Sequence, residues 1–183
     1  MLIYIHGFGS SGFGGKAMIF KEQYEEEVLL PSLSYVPSLA INTLEQLIEF
    51  LIKDKKSVNL IGSSLGGYYA IYLANKYNIK AVLINPAVKP YKTLDKLGMA
   101  TNYFDMSSFE VTHEHLNFLK TLDVDEIKNQ KNFMLLLQKG DDLLDYKEAS
   151  NKLPDSVLNI EDGGSHTYDG IQRHFESIKK FFS

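Results

Sequence analysis

Short apolar runs alternate with longer segments of helical periodicity, and this alternation constrains the fold more than any other feature of the chain. The runs are bounded by turn residues such as Gly, Pro, Asp or Asn, which is typical of buried strands. They cover residues 2–5, 28–30, 58–61, 81–84, 133–137 and 157–160. Because strands that alternate with helices form βαβ units, the sequence predicts an α/β fold with a mostly parallel sheet of about six strands.

Apolar residues recur at helical spacing in three other segments. The three stripes are Leu44, Leu47, Ile48 and Leu51; Ala70, Leu73, Ala74 and Tyr77; and Ile171, His174, Phe175, Ile178 and Phe182. They predict helices on both faces of the sheet. The third stripe predicts a final helix that docks on the sheet and covers its last strand.

Residues 88–130 interrupt the alternation, since they contain Pro90, Gly98 and a polar stretch but no strand-like run. We interpret this segment as a partly helical insertion above the sheet, and both a lid over a site and a packing hairpin are open. No repeat or linker divides the 183 residues, and a domain averages about 150 residues. Residues 1–183 are therefore expected to form a single domain.

Composition narrows the functional classes. The chain has 19 Lys+Arg and 23 Asp+Glu, so it lacks the basic surplus of nucleic-acid and anionic-membrane binders. The absence of cysteine removes thiolate nucleophiles, disulfides and Cys-ligated metals. The N-terminal residues do not resemble a secretory signal, and no apolar run approaches the roughly 18 residues of a membrane span. A cytoplasmic location is expected.

Two glycine motifs follow predicted strands and imply different chemistry. Gly7-x-Gly9-x-x-Gly12 matches the dinucleotide fingerprint, and Gly62-x-Ser64-x-Gly66 matches the nucleophile elbow of serine hydrolases. A dinucleotide site needs an acidic residue at the end of the second strand. Residues 31–33 there are Pro-Ser-Leu, and the acidic residues 25–27 precede the strand. The sequence therefore favours the elbow.

The elbow places Ser64 at a sharp strand-to-helix turn, where Gly62 and Gly66 meet the need for small residues. A helix that starts at Leu65 would direct its positive end toward a developing oxyanion. The backbone N–H groups of Leu65 and of Phe8, in the loop after the first strand, are the candidate oxyanion donors. A structural Gly-rich turn without catalytic function is the alternative.

A serine nucleophile needs a base and an orienting carboxylate, in the chain order Ser, Asp or Glu, His. Asp141 and Asp142 follow the fifth predicted strand, and Asp141 is favoured because it directly follows Gly140 at the strand end. Asp145 is a candidate helix cap. His166 lies in a Gly-rich loop after the last predicted strand and is the candidate base.

The other four histidines fit the base role less well. His174 lies on an apolar helical stripe, and His6 precedes Ser64 and is expected to support the neighbouring loop. His113 and His115 are two residues apart and do not share a helix face, which argues against a metal pair. No metal or cofactor is expected.

Five segments together resemble the bacterial YqiA-like esterases of the α/β-hydrolase superfamily. They are HGF at 6–8, GSSLGGYYA at 62–70, NPAVKP at 85–90, GDDLLDY at 140–146 and GGSH at 163–166. The resemblance covers nearly the whole chain, although Ser165 stands where the family more usually has Asn. It implies an α/β-hydrolase fold, with Ser64 as nucleophile, Asp141 as acid and His166 as base, acting on carboxylic esters and on acyl thioesters.

The sequence thus predicts a metal-independent serine hydrolase that cleaves a small-molecule acyl ester or thioester through an acyl-enzyme. Aromatic candidates for an apolar acyl pocket are Phe8, Phe13, Tyr68, Tyr103 and Phe104. Two alternatives stay open: a catalytically inactive hydrolase-fold scaffold for protein contacts, and an oxidoreductase that binds a dinucleotide at Gly7 to Gly12.

Overall fold

The structure, a computed structural model, describes residues 1–54, 56–96 and 98–183. Its strands are β1 (Leu2–Ile5), β2 (Val28–Leu29), β3 (Asn59–Ser63), β4 (Ala81–Ile84), β5 (Met99–Thr101), β6 (Ser108–Glu110), β7 (Phe133–Gln138) and β8 (Val157–Glu161). Its α-helices are α1 (Gly15–Tyr24), α2 (Pro37–Lys53), α3 (Leu65–Tyr77), α4 (Pro90–Thr93), α5 (His113–Thr121), α6 (Tyr146–Lys152) and α7 (Phe175–Phe182). Short 3-10 turns lie at Glu25–Glu27, Gln130–Asn132 and Ile171–His174.

Six strands form one parallel sheet in the order β2-β1-β3-β4-β7-β8. The predicted α/β class is therefore confirmed, and every predicted run lies on a strand of this sheet. The largest difference in bounds is at β3, which was predicted at 58–61 and extends to Ser63. In the observed register Ile5 lies opposite Gly62 and Ser63 opposite Ile84, so these strands end at the same edge.

Helices cover both faces of the sheet, as the apolar stripes predict. Side chains alternate along each strand, so Ile3 and Ile5 face one layer and Leu2 and Tyr4 the other. The first layer contains the buried stripes of α2 and α3. The second contains apolar residues of α1, of α7 and of the turn before it, including Ile178.

The prediction that the last helix covers the last strand is wrong. Ile178 of α7 packs in the cluster that holds Ile61 and Val82, over the middle of the sheet. Strand β8 lies at the edge, and Val157, Leu158 and Ile160 are 45%, 40% and 39% exposed. An apolar run identifies a strand but does not tell which helix lies over it. The helix also begins later than its stripe, because Ile171–His174 is a 3-10 turn.

The expectation that residues 88–130 contain no strand is also wrong. Strands β5 and β6 pair as an antiparallel hairpin, with α4 before it and α5 after it. Each strand has three residues, and only Phe109 is buried among them, which is too short a pattern for periodicity to reveal. Leu97 of this segment lies outside the described residues. The helical part of the prediction is confirmed.

No helix within the described ranges has both the length and the apolar character that a membrane crossing requires.

Candidate active site

The sequence-predicted site residues lie in loops that meet at the carboxyl edge of the sheet. Phe8 follows β1, Ser64 follows β3, Asp141 follows β7 and His166 follows β8. Because the strands are parallel, the ends of all four point to the same edge. This is the edge at which open α/β sheets bind their ligands.

Ser64 occupies a strained turn between β3 and α3. Its φ of 54° and ψ of −120° lie in a region that residues with a Cβ rarely adopt. Two glycines make the turn possible: a Cβ on Gly62 would overlap the Gly66 carbonyl, and a Cβ on Gly66 would overlap the Ile5 carbonyl. Strand, turn and helix therefore pack too closely for any other residue at these two positions.

Ser64, His166 and Asp141 form one hydrogen-bonded row. The Ser64 hydroxyl lies 3.0 Å from His166 Nε2, and His166 Nδ1 lies 3.0 and 2.9 Å from the two carboxylate oxygens of Asp141. Since a carboxylate only accepts, Nδ1 carries the proton and donates it, which leaves Nε2 free to accept from Ser64. In such a row the imidazole can take the hydroxyl proton while the carboxylate stabilises the imidazolium.

The Asp141 carboxylate is shielded from solvent, with its side chain only 2% exposed. Burial alone raises its pKa, but hydrogen bonds from His166 and from the backbone N–H groups of Leu144 and Leu143 outweigh that effect and lower the pKa below its ordinary value. The two backbone bonds are both 2.9 Å long. Asp141 is therefore an anion at neutral pH, as an acceptor for the His166 Nδ1–H must be.

The neighbouring acids have different surroundings. Asp142 is exposed, and in the described part of the chain it forms no hydrogen bond with His166. Asp145 is the N-cap of α6, where its side chain accepts from the Lys147 N–H at 3.0 Å, which confirms the predicted cap. Asp141 is thus the acid that the fold brings to His166.

The two candidate oxyanion donors lie beside Ser64. Phe8 and Leu65 line one cavity together with Ser64 and His166, and a Cβ on Gly7 would come within 3.1 Å of the Ser64 Cβ. Within the described residues, the backbone N–H groups of Phe8 and Leu65 donate no hydrogen bond to other protein groups. Both N–H groups are therefore available to an oxygen bound beside Ser64.

Three of the four remaining histidines, His6, His115 and His174, have structural contacts. His6 is buried, with Nδ1 2.9 Å from the Gly7 carbonyl while Nε2 accepts from the Leu33 N–H at 2.9 Å. Burial lowers the pKa of His6, despite an opposing contribution from the Gly7 carbonyl. A neutral His6 thus ties the loop after β1 to the segment after β2, in agreement with the supporting role predicted for it.

His174 and His115 also stabilise local structure. His174 is 6% exposed, and its Nε2 lies 3.0 Å from both the Tyr168 hydroxyl and Glu161. His115 completes the capping box of α5 with Thr112. Across the described ranges, no cluster of three or more His, Asp or Glu has the arrangement of a metal site.

Asn85 positions the loop that carries His166, and sequence reasoning assigned it no role. It directly follows β4, has a φ of 39° and is 3% exposed. Its Nδ2 donates to the carbonyls of Ser165 and His166 at 2.9 and 3.2 Å, and its Oδ1 accepts from the Gln138 N–H at 3.0 Å. The signal that could have found it is a polar amide directly after an apolar strand.

Gln138, the last residue of β7, supports the same loop and was also missed. Its Oε1 accepts from the N–H groups of Ser165 and Asp169 at 3.1 and 2.9 Å, and its Nε2 donates to Glu161 and to the Asp169 carbonyl at 3.0 Å each. It is 2% exposed, so a buried amide replaces water as the partner of these loop groups. The His166 loop is thereby fixed from two neighbouring strands.

Two cavities adjoin Ser64 and His166. The first, here named the apolar cavity, has a volume of about 550 Å³, and Leu94, Met99, Ala100 and Leu144 line it. The second, here named the Lys16 cavity, has a volume of about 570 Å³ and lies toward α1. Several residues between positions 90 and 103 line the apolar cavity, so the insertion supplies one wall of this cavity.

The expected aromatic lining is correct in part. Phe8 and Tyr103 line the apolar cavity. Tyr68 is instead a core residue, 2% exposed, whose hydroxyl donates to the Leu119 carbonyl at 2.7 Å. Phe13 and Phe104 are 66% and 61% exposed, and their rings stack on each other at the surface with centroids 5.5 Å apart. The sequence places these aromatic residues on helices or in loops, but it cannot tell which of them line a cavity, which are core residues and which lie on the surface.

The loop with the competing glycine motif packs against the insertion. Gly9 has a φ of 64°, a Cβ on it would approach the Thr101 carbonyl at 2.6 Å, and its carbonyl accepts from the Tyr103 N–H at 2.7 Å. A Cβ on Gly12 would overlap the Leu30 carbonyl. Close backbone packing is enough to explain why glycine stands at both positions.

Solved structures with the same architecture define the class of fold. Est1E from Butyrivibrio proteoclasticus superposes with a TM-score of 0.74 at 15% identity, over 98% of this chain and 85% of that one. A monoacylglycerol lipase from Paleococcus ferrophilus superposes with a TM-score of 0.69 at 17% identity, over 99% and 93%. The chain has the α/β-hydrolase fold.

The sequence is also similar to that of other bacterial proteins. The UPF0227 protein YcfP of Salmonella arizonae is 25% identical over 189 aligned residues, which cover 99% of this chain and 98% of the relative. The model of the family described as "Uncharacterised protein family (UPF0227)" matches residues 1–183. The chain belongs to this family, which confirms the family resemblance seen in the sequence.

Proposed function

We propose that this protein is a serine hydrolase that cleaves carboxylic esters through an acyl-enzyme. The observation that carries the proposal is the Ser64–His166–Asp141 row at a strained turn, with heavy-atom distances of 2.9 to 3.0 Å. A strained serine that donates to a carboxylate-oriented imidazole has the arrangement of an activated nucleophile.

In the proposed reaction His166 Nε2 takes the proton as Ser64 Oγ attacks the ester carbonyl. Asp141 holds the imidazole in its reactive tautomer and stabilises the imidazolium. The N–H groups of Phe8 and Leu65 donate to the oxyanion, and the imidazolium then gives its proton to the leaving alcohol. Water, activated by the same imidazole, attacks the acyl-enzyme and releases the acid.

The lining of the apolar cavity favours a substrate with an acyl chain. Apolar side chains of the insertion and of the loop after β7 line it next to Ser64, which suits a hydrocarbon chain. The monoacylglycerol lipase among the structural neighbours is named for an ester substrate, in keeping with this chemistry. The proposal extends to acyl thioesters, whose carbonyl is open to the same attack.

The test requires no guess about the substrate. The folded protein is treated with a fluorophosphonate, which phosphonylates activated serines, and the added mass is mapped by peptide sequencing. We expect one adduct, on Ser64, and its loss in His166→Ala. Ser150→Ala is the matched control, because Ser150 lies on α6 and donates only to the Lys147 carbonyl.

Labelling that persists in His166→Ala would contradict the assigned base. The absence of any adduct on well-folded protein would overturn the proposal. The alternative of a hydrolase-fold scaffold for protein contacts would then be favoured.

A further inference from the structure

Lys16 is a partly buried cation beside the candidate nucleophile. It lies in the first turn of α1, and its Nζ donates to Ser63 Oγ at 2.7 Å, one residue before Ser64. Within the described ranges it forms no ion pair with a carboxylate. If the only role of Lys16 were to attach α1 to the sheet, an uncharged side chain could do so without the cost of partly burying a charge.

The Lys16 ammonium has donors to spare. An ammonium carries three N–H groups, and in the described part of the chain only Ser63 accepts from one. Burial lowers the pKa of Lys16 to about 8, although the negative charge of Asp141 opposes this. At neutral pH the group is therefore still mainly charged, and it is poorly solvated.

The Lys16 cavity has a lining of mixed polarity, and Lys16 supplies a positive charge to it. The hydroxyl-bearing residues Ser10, Ser11 and Thr167 are among its lining residues, together with Lys16. The carboxylate on its wall, Asp169, is exposed and already accepts from the Ser165 hydroxyl at 2.7 Å. The ammonium is thus the charged group in this cavity that has unused donors.

Among the described residues, three line both cavities: Phe8, Ser64 and His166. An ester whose carbonyl lies at Ser64 therefore has room on both sides, in the apolar cavity and in the cavity that contains Lys16. We propose that Lys16 is a specificity-determining residue that binds a carboxylate or phosphate group of the substrate, on the part of the ester opposite its apolar part. This inference rests on the proposed hydrolase function.

The test uses two matched pairs of esters. Para-acetoxybenzoate and its neutral amide para-acetoxybenzamide differ only in charge on the leaving group. The adipate monoester of para-nitrophenol and para-nitrophenyl hexanoate differ in charge at the far end of the acyl group. The pair that responds identifies which half of the substrate contacts Lys16.

The variants are Lys16→Met and Lys16→Gln, with Lys21→Met as the control. Gln keeps a donor for Ser63 without the charge, so it tests the same point if Met disturbs folding. Lys21 lies on the same helix but pairs with Glu26 at 3.2 Å, on the surface.

For at least one pair, we expect loss of the Lys16 charge to lower kcat/KM of the anionic ester by about 10- to 100-fold, the value of one charge-assisted hydrogen bond. The neutral ester should change by less than about 3-fold, because uncharged groups do not depend on this contact. Lys21→Met should change neither.

Each contrary result is decisive. Equal losses on the anionic and neutral esters would show that Lys16 acts only on the structure of Ser63 and α1. If the Lys16 variants lost no activity on the anionic esters, the inference would be overturned. It would also be overturned if the wild type cleaved the neutral esters but neither anionic one. In both cases the proposed hydrolase function would stand. No Ser64-dependent turnover of any ester would overturn the proposed function, and the inference with it.

Discussion

Adjacent residues with the same side chain differ sharply in what they contact, and Asp141 and Asp142 are the clearest case. We expect Asp141→Asn to lower kcat for a neutral ester such as para-nitrophenyl hexanoate by about 10³- to 10⁴-fold. An amide can donate to His166 Nδ1, which would hold the imidazole in the tautomer that cannot accept from Ser64. Steady-state kinetics with both variants measure this.

Asp142→Asn is the matched control, and we expect kcat within about 2-fold of wild type because exposed substitutions away from a site have small effects. Losses of similar size in the two variants would show that the row does not depend on Asp141 in particular. Unfolding curves for both separate this outcome from a general loss of stability.

The element that positions the candidate nucleophile is the β3–turn–α3 unit, and its geometry depends on Gly66. A Cβ there would overlap the carbonyls of Ile5 and His6, which belong to the backbone and cannot rotate away. We expect Gly66→Ala to lower the free energy of unfolding by about 2–4 kcal/mol, as overpacking does when the neighbours are rigid. Urea unfolding followed by circular dichroism measures it.

Gly15→Ala is the control for this element. A Cβ on Gly15 would meet nothing within 4 Å, and the residue begins α1. We expect a change within about 1 kcal/mol, with a gain more common than a loss in a helix. If Gly66→Ala were as mild as Gly15→Ala, β3 and α3 would not be packed as closely as described.

The sequence predicts a strand, a helix or a site position well where a single local pattern determines it. The strands of the main sheet follow from apolar runs, and the positions of Ser64, Asp141 and His166 follow from strand ends and chain order. Strands β5 and β6 are three residues each and give no periodic pattern. Asn85 and Gln138 act through carbonyl and N–H groups distant in sequence, so a local pattern can show a polar amide at a strand end but not which groups it binds.

At the scale of the whole molecule, the exposed edge strand β8 is tied to the C-terminal segment by Glu161. The Glu161 carboxylate accepts from Arg173 Nε at 2.9 Å and from Gln138 Nε2 at 3.0 Å, and it lies 3.0 Å from His174. Tyr168 packs beside the same histidine. Glu161 thus connects the end of the sheet, the His166 loop and the turn before α7.

This cluster predicts how stability depends on pH. The hydrogen bond from Arg173 is the main reason that the pKa of Glu161 falls from 4.5 to about 2, despite the opposing effect of burial, and Gln138 and His174 add to the shift. A carboxylate whose pKa is lower in the folded than in the unfolded protein stabilises the fold at pH values above its ordinary pKa. That stabilisation is lost as pH falls through 4.5 toward 2, where folded protein also binds the proton.

We therefore expect Glu161→Gln to lower the free energy of unfolding at neutral pH, and the difference from wild type to shrink as the solution is acidified through pH 4.5. Urea unfolding at a series of pH values measures the difference. Glu22→Gln, an exposed carboxylate on α1, should show a small difference at every pH. A Glu161→Gln difference that stays constant on acidification would mean that shape and packing, rather than the Glu161 charge, hold the C-terminal segment to the sheet.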